Sequence, residues 1–298
     1  MPIDRKKNLA RSNGQDLMRG KHVVGQRTTW VSGDRPVEDL DETNLKNLAA
    51  GGQGQEHSGT SIFDPVLCEL AYRWFCPAGG SILDPFAGGS VRGIVAAQCG
   101  FDYHGIDLRP EQIAANESQV ETICTGEKKP KWSVGDSKDI ATIAPGKYDL
   151  IFSCPPYGDL EVYSENIADL STMEHAAFVA AYRHIISESV SMLAPNRFAC
   201  FVVGDFRDSK GFYRNFVADT VSAFQDAGAM LYNEGILVTA VGSLPIRVGR
   251  QFESGRKLGK THQNVLVFFK GDLKEIKAWP LPDFGSVVDE PEQNPVPE

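Results

Sequence analysis

The sequence predicts an α/β protein built on a doubly wound, mostly parallel sheet of seven strands. From residue 60 onwards, short apolar segments alternate with helical segments of roughly 10 to 20 residues, a rhythm typical of a parallel sheet covered by helices. One segment, "YDLIFSCPP" at 148–156, is an almost continuous apolar run, as expected for a central strand buried on both faces. The last two strands follow each other without a predicted helix between them, so we expect a terminal hairpin with one antiparallel strand.

The individual elements follow from the spacing of apolar residues and from the residues that begin and end each segment. Asp64 and Pro65 suit the start of the first helix, and Gly100 suits the end of the second. The predicted helices are FDPVLCELAYRWF, SVRGIVAAQCG, RPEQIAANESQVETIC, EHAAFVAAYRHIISESVSML and YRNFVADTVSAFQDAGA. The predicted strands are SILDPF, DYHGIDL, KWSVGDS, YDLIFSCPP, RFACFVVGDF, LYNEGILVTAV and HQNVLVFFKG.

The 298 residues divide into three predicted parts. Residues 1–58 are polar, Gly-rich and basic at their start, and predict an N-terminal arm or cap without a core of its own. Residues 59–272 carry the α/β pattern, and within them 158–175 and 243–262 are connectors long enough to serve as substrate loops. Residues 273–298 are acidic and Pro-rich, a composition typical of a disordered tail.

Composition narrows the class of protein. The net charge of −9 and pI near 5.2 weigh against a nucleic-acid partner, although cations concentrate locally in 1–35 and 244–262. The six cysteines form no CxxC pair and no cluster with histidines, which predicts reduced thiols in the cytoplasm and no metal site. The chain has no apolar stretch long enough to span a membrane, and its first residues do not resemble a signal peptide.

Three strand ends carry residues suited to a ligand, because sheets of this kind bind ligands beyond the carboxyl ends of their strands. Gly88 and Gly89 allow a tight turn after the first strand, either as an ordinary βα turn or as a loop that approaches a ligand. Asp107 ends the second strand, where a carboxylate can accept both ribose hydroxyls of a nucleoside or can cap the next helix. Asp136 ends the third strand and could accept from the amine of an adenine ring.

The fourth strand end makes the pattern specific. "DPFAGGS", "GIDL", "GDS" and "CPPY", in this order and spacing, resemble motifs I to IV of the S-adenosylmethionine-dependent amino-methyltransferases. "SIFDPVLCELAYRWF" just upstream resembles their motif X. The resemblance runs from Ser61 to Gly271 and is greatest to the DNA adenine-N6 and cytosine-N4 enzymes, particularly small phage and prophage modification methylases.

This resemblance implies the Rossmann-like fold of class I methyltransferases and S-adenosyl-L-methionine as the cofactor. The residues it assigns to the cofactor are Phe63, Asp64, Asp84, Pro85, Phe86, Gly88, Gly89, Ser90, Asp107, Leu108, Asp136 and Ser137. It implies that motif IV holds the two N–H protons of a base amine and draws the nitrogen towards sp³ character, so that its lone pair faces the methyl group. A base inside a duplex must be flipped to reach such a pocket.

The catalytic set implied by the resemblance is Ser153, Cys154, Pro155, Pro156 and Tyr157, with Tyr157 stacking on the base. Cys154 departs from the family pattern, which has Asp, Asn or Ser at this position, and a thiol is a weak acceptor. Cys154 itself, Ser153 or the carbonyl of Pro155 would then accept from the amine, and we favour the carbonyl. A covalent role for Cys154 is disfavoured, because the carbon-5 cytosine methyltransferases place their cysteine after a proline.

The predicted DNA contacts lie in the two substrate loops. They are Tyr163, Arg247, Arg250, Arg256, Lys257, Lys260 and His262. The alternatives to these DNA contacts are that Tyr163 packs inside the protein and that 243–262 is a solvated hairpin without a binding role. The order of motifs X, I and IV resembles the gamma arrangement, but no separate recognition domain follows. Recognition of double-stranded DNA would come from loops, the N-terminal arm or a second subunit, so a homodimer stays open.

Two other functions remain open at this stage. Enzymes that methylate guanine-N2 in transfer RNA carry "DPPY", and enzymes that methylate protein glutamine carry "NPPY". A catalytically silent, methylase-like binding subunit is the third possibility, with Cys154 as a mark of lost activity.

Overall fold

The computed structural model describes residues 63–158, 166–238 and 244–280. The predicted arm at 1–58 lies outside the described residues. The α-helices are α1 (Pro65–Phe75), α2 (Val91–Gln98), α3 (Pro110–Ile123), α4 (Ile140–Ile143), α5 (His175–Met192), α6 (Phe216–Asp226) and α7 (Leu244–Gly255). The strands are β1 (Ser81–Asp84), β2 (Asp102–Asp107), β3 (Lys131–Val134), β4 (Tyr148–Ser153), β5 (Leu193–Val203), β6 (Met230–Val238) and β7 (His262–Lys270). Short 3-10 helices cover Ser137–Asp139, Leu170–Thr172 and Leu273–Ala278.

The strands form one seven-stranded sheet in the order β3-β2-β1-β4-β5-β7-β6. The pairs from β3 across to β5 are parallel, and β7 runs antiparallel to β5. This topology confirms the predicted fold class, the Rossmann-like fold of class I methyltransferases. The chain order reverses between β1 and β4, and the carboxyl ends of these two strands carry motifs I and IV, at the switch point where such sheets bind ligands.

Side chains that alternate along the strands build a separate apolar core on each face of the sheet. Ile82 packs with helices α1 to α3, whereas its neighbour Leu83 packs on the other face with α5 and α6. Leu150 and Ile151 in β4 divide in the same way, and all four are fully buried. Burying one such side chain contributes about 1.5–3 kcal/mol, so the central strands form a rigid base for the loops at their ends.

The connection between β6 and β7 differs from the prediction. A twelve-residue helix, α7, stands where the sequence predicts only the loop of a hairpin, although β6 and β7 are neighbours in the sheet as expected. A Cβ at Gly249 would have nothing within 4 Å, and the helix accommodates this glycine at a modest propensity cost. Residues Val238–His262 belong to a compact unit separate from the sheet domain.

The predicted tail begins inside the fold. Its first residues form the 3-10 helix Leu273–Ala278, and Asp272 caps that helix by accepting from the Lys274 amide at 3.0 Å. Trp279 then packs edge-on against Phe198, with the ring centroids 5.4 Å apart. These contacts join 273–279 to the folded domain, and 281–298 of the predicted tail lie outside the described residues. None of the helices in the described ranges is long and apolar enough to cross a membrane.

Candidate active site

Asp84, at the end of β1, is the centre of a buried hydrogen-bond network. Its side chain is fully buried, and Oδ1 accepts from the Ser153 hydroxyl at 2.5 Å and from the Phe86 amide at 3.1 Å. Oδ2 accepts from Arg92 Nε at 2.6 Å and from the Tyr103 hydroxyl at 2.7 Å. Four donors occupy this carboxylate, so Asp84 shapes the loop after β1 and ties it to motif IV.

Arg92, in the first turn of α2, is the cation that balances the negative charge of Asp84. Its guanidinium also donates to the carbonyls of Phe86 and Ala87, and it lies 5.0 Å from the centre of the Phe63 ring. Only 6% of Arg92 is exposed, which is tolerable for a charge that is both paired and hydrogen-bonded. The sequence analysis missed this residue, although an arginine among the apolar residues of "SVRGIVAA" was a signal that could have found it.

A closed ring of hydrogen bonds holds Gly88 at both its amide and its carbonyl. The Gly88 amide donates to Asp107 Oδ2 at 3.0 Å, and Asn116 Nδ2 donates to the Gly88 carbonyl at 2.8 Å. Gln112 bridges the gap, because its amide donates to Asn116 Oδ1 and its oxygen accepts from Arg109 Nη2, both at 2.9 Å. The Arg109 amide closes the ring on Asp107 Oδ1 at 2.9 Å. The ring fixes the Gly-rich loop and the Asp107 carboxylate relative to each other.

The space above this loop is open. A Cβ placed on Gly88 or on Gly89 would have nothing within 4 Å, and Gly88 adopts a left-handed φ of +51°. A ligand can therefore approach the backbone directly at this point. Burial raises the pKa of Asp107, while the Arg109 and Gly88 amides and the Arg109 charge oppose the shift.

The remaining predicted cofactor residues line or support the same edge. Asp64 caps α1 by accepting from the amides of Val66 at 2.9 Å and Leu67 at 3.2 Å. The Ser90 hydroxyl donates to Gln119. Phe86 is half-buried against the core of α5 and β5, Pro85 is buried, and Leu108 is half-buried.

The end of β3 is joined to the end of β1. The Ser137 hydroxyl donates to the Pro85 carbonyl at 2.6 Å and is buried. Asp136 caps the turn by accepting from the Lys138 amide at 2.9 Å, and its other oxygen pairs with Lys138 Nζ at 3.0 Å. Asp136 remains half-buried at the edge of the sheet, whereas the Ser137 side chain is already used inside the protein.

Motif IV follows β4 directly. Ser153 is fully buried and donates to Asp84, and Pro155 is also buried. Cys154 is half-buried, with Sγ 3.9 Å from the Tyr157 hydroxyl, and it lies within electrostatic range of Arg92, a basic neighbour that the sequence did not reveal. Pro156 is half-buried beside it.

Tyr157 is held on several sides. Its ring lies edge-on to Phe206 and Phe216 at centroid distances of 6.3 and 6.2 Å, and its hydroxyl accepts from Gln263 of β7. Burial raises the pKa of the Tyr157 phenol, which keeps it protonated. Gln263 is a second residue that the sequence analysis missed, since nothing local marks a strand glutamine as the partner of a distant tyrosine.

The structure describes some of the predicted DNA contacts and not others. Tyr163 falls outside the described residues, and α7 contains Arg247, whose side chain is not described. Arg250, Arg256 and His262 are exposed, and the Arg256 guanidinium lies 5.1 Å from the centre of the Phe252 ring. Their assignment to DNA stays a prediction.

Lys257 and Lys260, the remaining predicted DNA contacts, are half-buried. None of the six cysteines forms a disulfide bond. Within the part of the chain that the structure describes, no group of three metal-ligating side chains comes together.

No protein-family model and no curated protein matches the chain. Similar solved structures include TrmN from Thermus thermophilus, at 14% identity and a TM-score of 0.49, over 72% of this chain and 51% of that one. A methyltransferase from Pyrococcus furiosus has 15% identity and a TM-score of 0.47, over 76% and 93% of the two chains. Magnesium protoporphyrin IX methyltransferase from Synechocystis PCC 6803, solved with bound SAM, has 11% identity and a TM-score of 0.45, over 89% and 96%.

The chain spans about half the length of TrmN, 51%. At these identities and TM-scores, the likeness carries nothing about substrate or reaction. What the site can do therefore depends on the residues of this chain.

Proposed function

We propose that this protein transfers a methyl group from S-adenosyl-L-methionine to the exocyclic amine of a flipped base in DNA, with adenine N6 favoured and cytosine N4 next. The observation that carries the proposal is the 2.5 Å hydrogen bond from Ser153 to Asp84. It joins the motif IV loop to the Gly-rich loop at the switch point of the sheet. Two loops suited to an amine and to a nucleoside cofactor are thereby held side by side.

The residues present fit S-adenosylmethionine. The open space above Gly88 and Gly89 admits a ligand against the backbone, and the ring of hydrogen bonds presents the Asp107 carboxylate beside that space. Asp107 would accept from the ribose hydroxyls, Asp136 from the adenine amine, and the half-buried Phe63 would border the methionine end. When bound, the cofactor supplies an electrophilic methyl group on a sulfonium.

The chain's own contribution to the chemistry is positioning and polarisation of the amine. The Pro155 carbonyl would accept one N–H of the amine, and because the proline rings rigidify the loop, this acceptor needs little reorganisation. Tyr157, fixed by Gln263 and Phe206, would offer its ring to the base. Holding the amine in line with the methyl group supplies the main rate advantage, without a covalent intermediate.

Methylation of an amine in RNA or protein is the second candidate. The net charge of −9 favours a protein substrate within this candidate, because it opposes both polyanions, DNA and RNA. A silent binding subunit is distinguished by its behaviour, because it would bind the cofactor without turnover on any substrate.

The test is transfer of radiolabelled methyl to duplex DNA, RNA and protein extract in parallel. We expect label in DNA, and digestion of that DNA to nucleosides followed by mass measurement should identify N6-methyladenine. Label confined to RNA or protein would show that the proposed substrate is wrong. Calorimetric binding of S-adenosylmethionine without label in any acceptor would support the silent subunit instead.

A further inference from the structure

The loop that joins β5 to α6, residues 204–215, opens at the same edge of the sheet as motif IV. β5 pairs in parallel with β4, and Ser153 lies directly opposite Phe201 in that pairing. The chain therefore leaves β5 next to the point where it leaves β4. No residue of this β5–α6 loop was among the predicted substrate contacts.

The β5–α6 loop is anchored to motif IV and folded as a tight turn. Phe206 packs edge-on against Tyr157 and Phe216, and a Cβ on Gly158 would lie 3.1 Å from its ring. Arg207 and Tyr213 form an antiparallel bridge, and the Arg207 guanidinium lies 3.9 Å from the centre of the Tyr213 ring. The loop is thus a preformed element rather than an open connector.

The two acids of this loop accept from backbone amides, and one of its cations is exposed. Asp205 accepts from the Val217 amide at 3.2 Å, and Asp208 accepts from the Phe212 amide at 2.8 Å, so both acids are engaged with backbone. Lys210 is exposed, and Phe212 has 71% of its surface exposed at the turn. An exposed aromatic ring beside cations is the composition that nucleic-acid strands bind through stacking and phosphate contacts.

Arg214, the last cation of the loop, lines a cavity of about 190 Å3 beside motif IV. Its Nε is buried and has no hydrogen-bond partner, and within the described residues its guanidinium forms no ion pair. Asp208 interacts with it only electrostatically, and Glu174 lies exposed at the rim of the same cavity. The other lining residues are Gly158, Ser171, Thr172, Met173, His175 and Phe178.

We propose that Arg214 binds a phosphate of the nucleic-acid strand next to the reacting base, and that Phe212 contacts a neighbouring base. A buried N–H donor without an acceptor needs one, and the planar guanidinium matches the geometry of a phosphate. The cavity adjoins Gly158, one residue after Tyr157, so a phosphate there belongs to the nucleotide held by motif IV. This inference rests on the proposed function and names a contact that the predicted DNA loops do not include.

The test compares Arg214→Gln and Arg214→Lys with wild type and with Arg183→Gln as the matched control. Arg183 pairs with Asp226 between α5 and α6, so this control removes the same charge from another surface. Binding of duplex DNA and of single-stranded RNA is measured over a series of salt concentrations, alongside calorimetric affinity for S-adenosylmethionine. Competition by inorganic phosphate forms a separate arm.

We expect Arg214→Gln to weaken nucleic-acid binding by about tenfold at low salt and to reduce the salt slope by about one, with cofactor affinity unchanged. Arg214→Lys should restore the slope but only part of the affinity, because lysine lacks the bidentate fork. Arg183→Gln should leave both quantities at the wild-type value.

The outcomes separate this inference from the proposed function. If DNA is methylated and bound but Arg214→Gln keeps the wild-type salt slope, the inference is overturned while the function stands. If only RNA is labelled, the proposed substrate is wrong, and a slope reduced on RNA still supports the role of Arg214. Binding of inorganic phosphate without binding of DNA or RNA would contradict both the inference and the proposed function.

Discussion

Under the proposed function, we expect cofactor binding to depend on the charge of one residue, Asp107. Only the ionised carboxylate can accept from two ribose hydroxyls, yet burial raises the pKa of this group above the ordinary value of 3.8. The Gly88 and Arg109 amides and the Arg109 charge oppose that shift. The Asp107 carboxylate is therefore costly to ionise inside the protein, and once ionised it is the stronger acceptor for ribose hydroxyls.

We expect the affinity for S-adenosylmethionine to rise with pH through a window that lies above 3.8, as Asp107 ionises. The stability of the free protein should move in the opposite direction. A raised folded-state pKa contributes stability that is present below the unfolded value and is lost as pH rises through the folded value. Calorimetry and denaturant unfolding over this window measure both trends.

Asp107→Asn is the matched control for that titration, because it keeps the shape of the side chain and removes its charge. Its cofactor affinity should be low and should not follow pH across the window. A variant with the same pH profile as wild type would remove Asp107 from the ribose role.

Cys154 raises a second residue-scale question. The enzymes whose motif IV the sequence resembles have Asp, Asn or Ser at this position, whereas a half-buried thiol near the Tyr157 hydroxyl is a weak acceptor. The Ser153 hydroxyl is held by the hydrogen bond that it donates to Asp84, and we keep the prediction that the Pro155 carbonyl is the acceptor.

Cys154→Ala should therefore retain methyl transfer to within about fivefold of wild type, the effect expected from losing one weak neutral hydrogen bond. The rate is measured under single-turnover conditions with a saturating cofactor. Because the thiol is not needed as a nucleophile, no covalent adduct with substrate should form in wild type. A loss of several orders of magnitude in Cys154→Ala would contradict the carbonyl assignment.

At the scale of elements, two helical glycines illustrate how packing decides what a sequence pattern means. Gly93 in α2 faces β2 and β3, and a Cβ there would lie 2.5 Å from the Trp132 ring and 3.0 Å from the Tyr103 ring. Gly249 in α7 has open space at the same position. The first glycine is required by close helix–sheet packing, and the second is only tolerated.

Gly93→Ala should destabilise the protein by about 1–3 kcal/mol, because overpacking outweighs the gain in helix propensity. Gly249→Ala, its matched counterpart, should stabilise α7 by about 0.5–1 kcal/mol. Denaturant unfolding reports the first change, and hydrogen exchange of the α7 amides reports the second. Slower exchange is expected only if 244–255 is a helix, so unchanged exchange would restore the loop that the sequence predicted.

At the scale of the whole molecule, the sheet was predictable because its signal is local. The alternation of Ile82 and Leu83, and the continuous apolar run at 148–156, depend on neighbours in the chain. The strand-end residues were predictable for the same reason, since turn glycines and acids follow strands directly. Helix α7 was missed because its glycines and Pro245 favour loops when no tertiary context is known.

The residues that hold the site loops in place were not predictable, because they are distant in the chain from the residues that they contact. Asn116 holds the Gly88 carbonyl across 28 residues, and Gln263 donates to Tyr157 across 106 residues. No spacing rule links such pairs. A single sequence can therefore indicate where a ligand binds, but the residues that hold the loops in place require the fold.

The balance of charge over the molecule leads to the last prediction. A net charge of −9 repels a polyanion, so binding of DNA depends on local cations and should weaken steeply with salt. Arg256→Gln combined with Lys257→Gln should reduce the salt slope of DNA binding by about two while leaving cofactor affinity unchanged. Lys128→Gln is the control, because Lys128 pairs with Asp102 at the amino end of β2, the edge opposite motif IV. An unaltered slope in the double variant would exclude these two cations from the DNA interface, and binding would then depend on Arg214 and the β5–α6 loop.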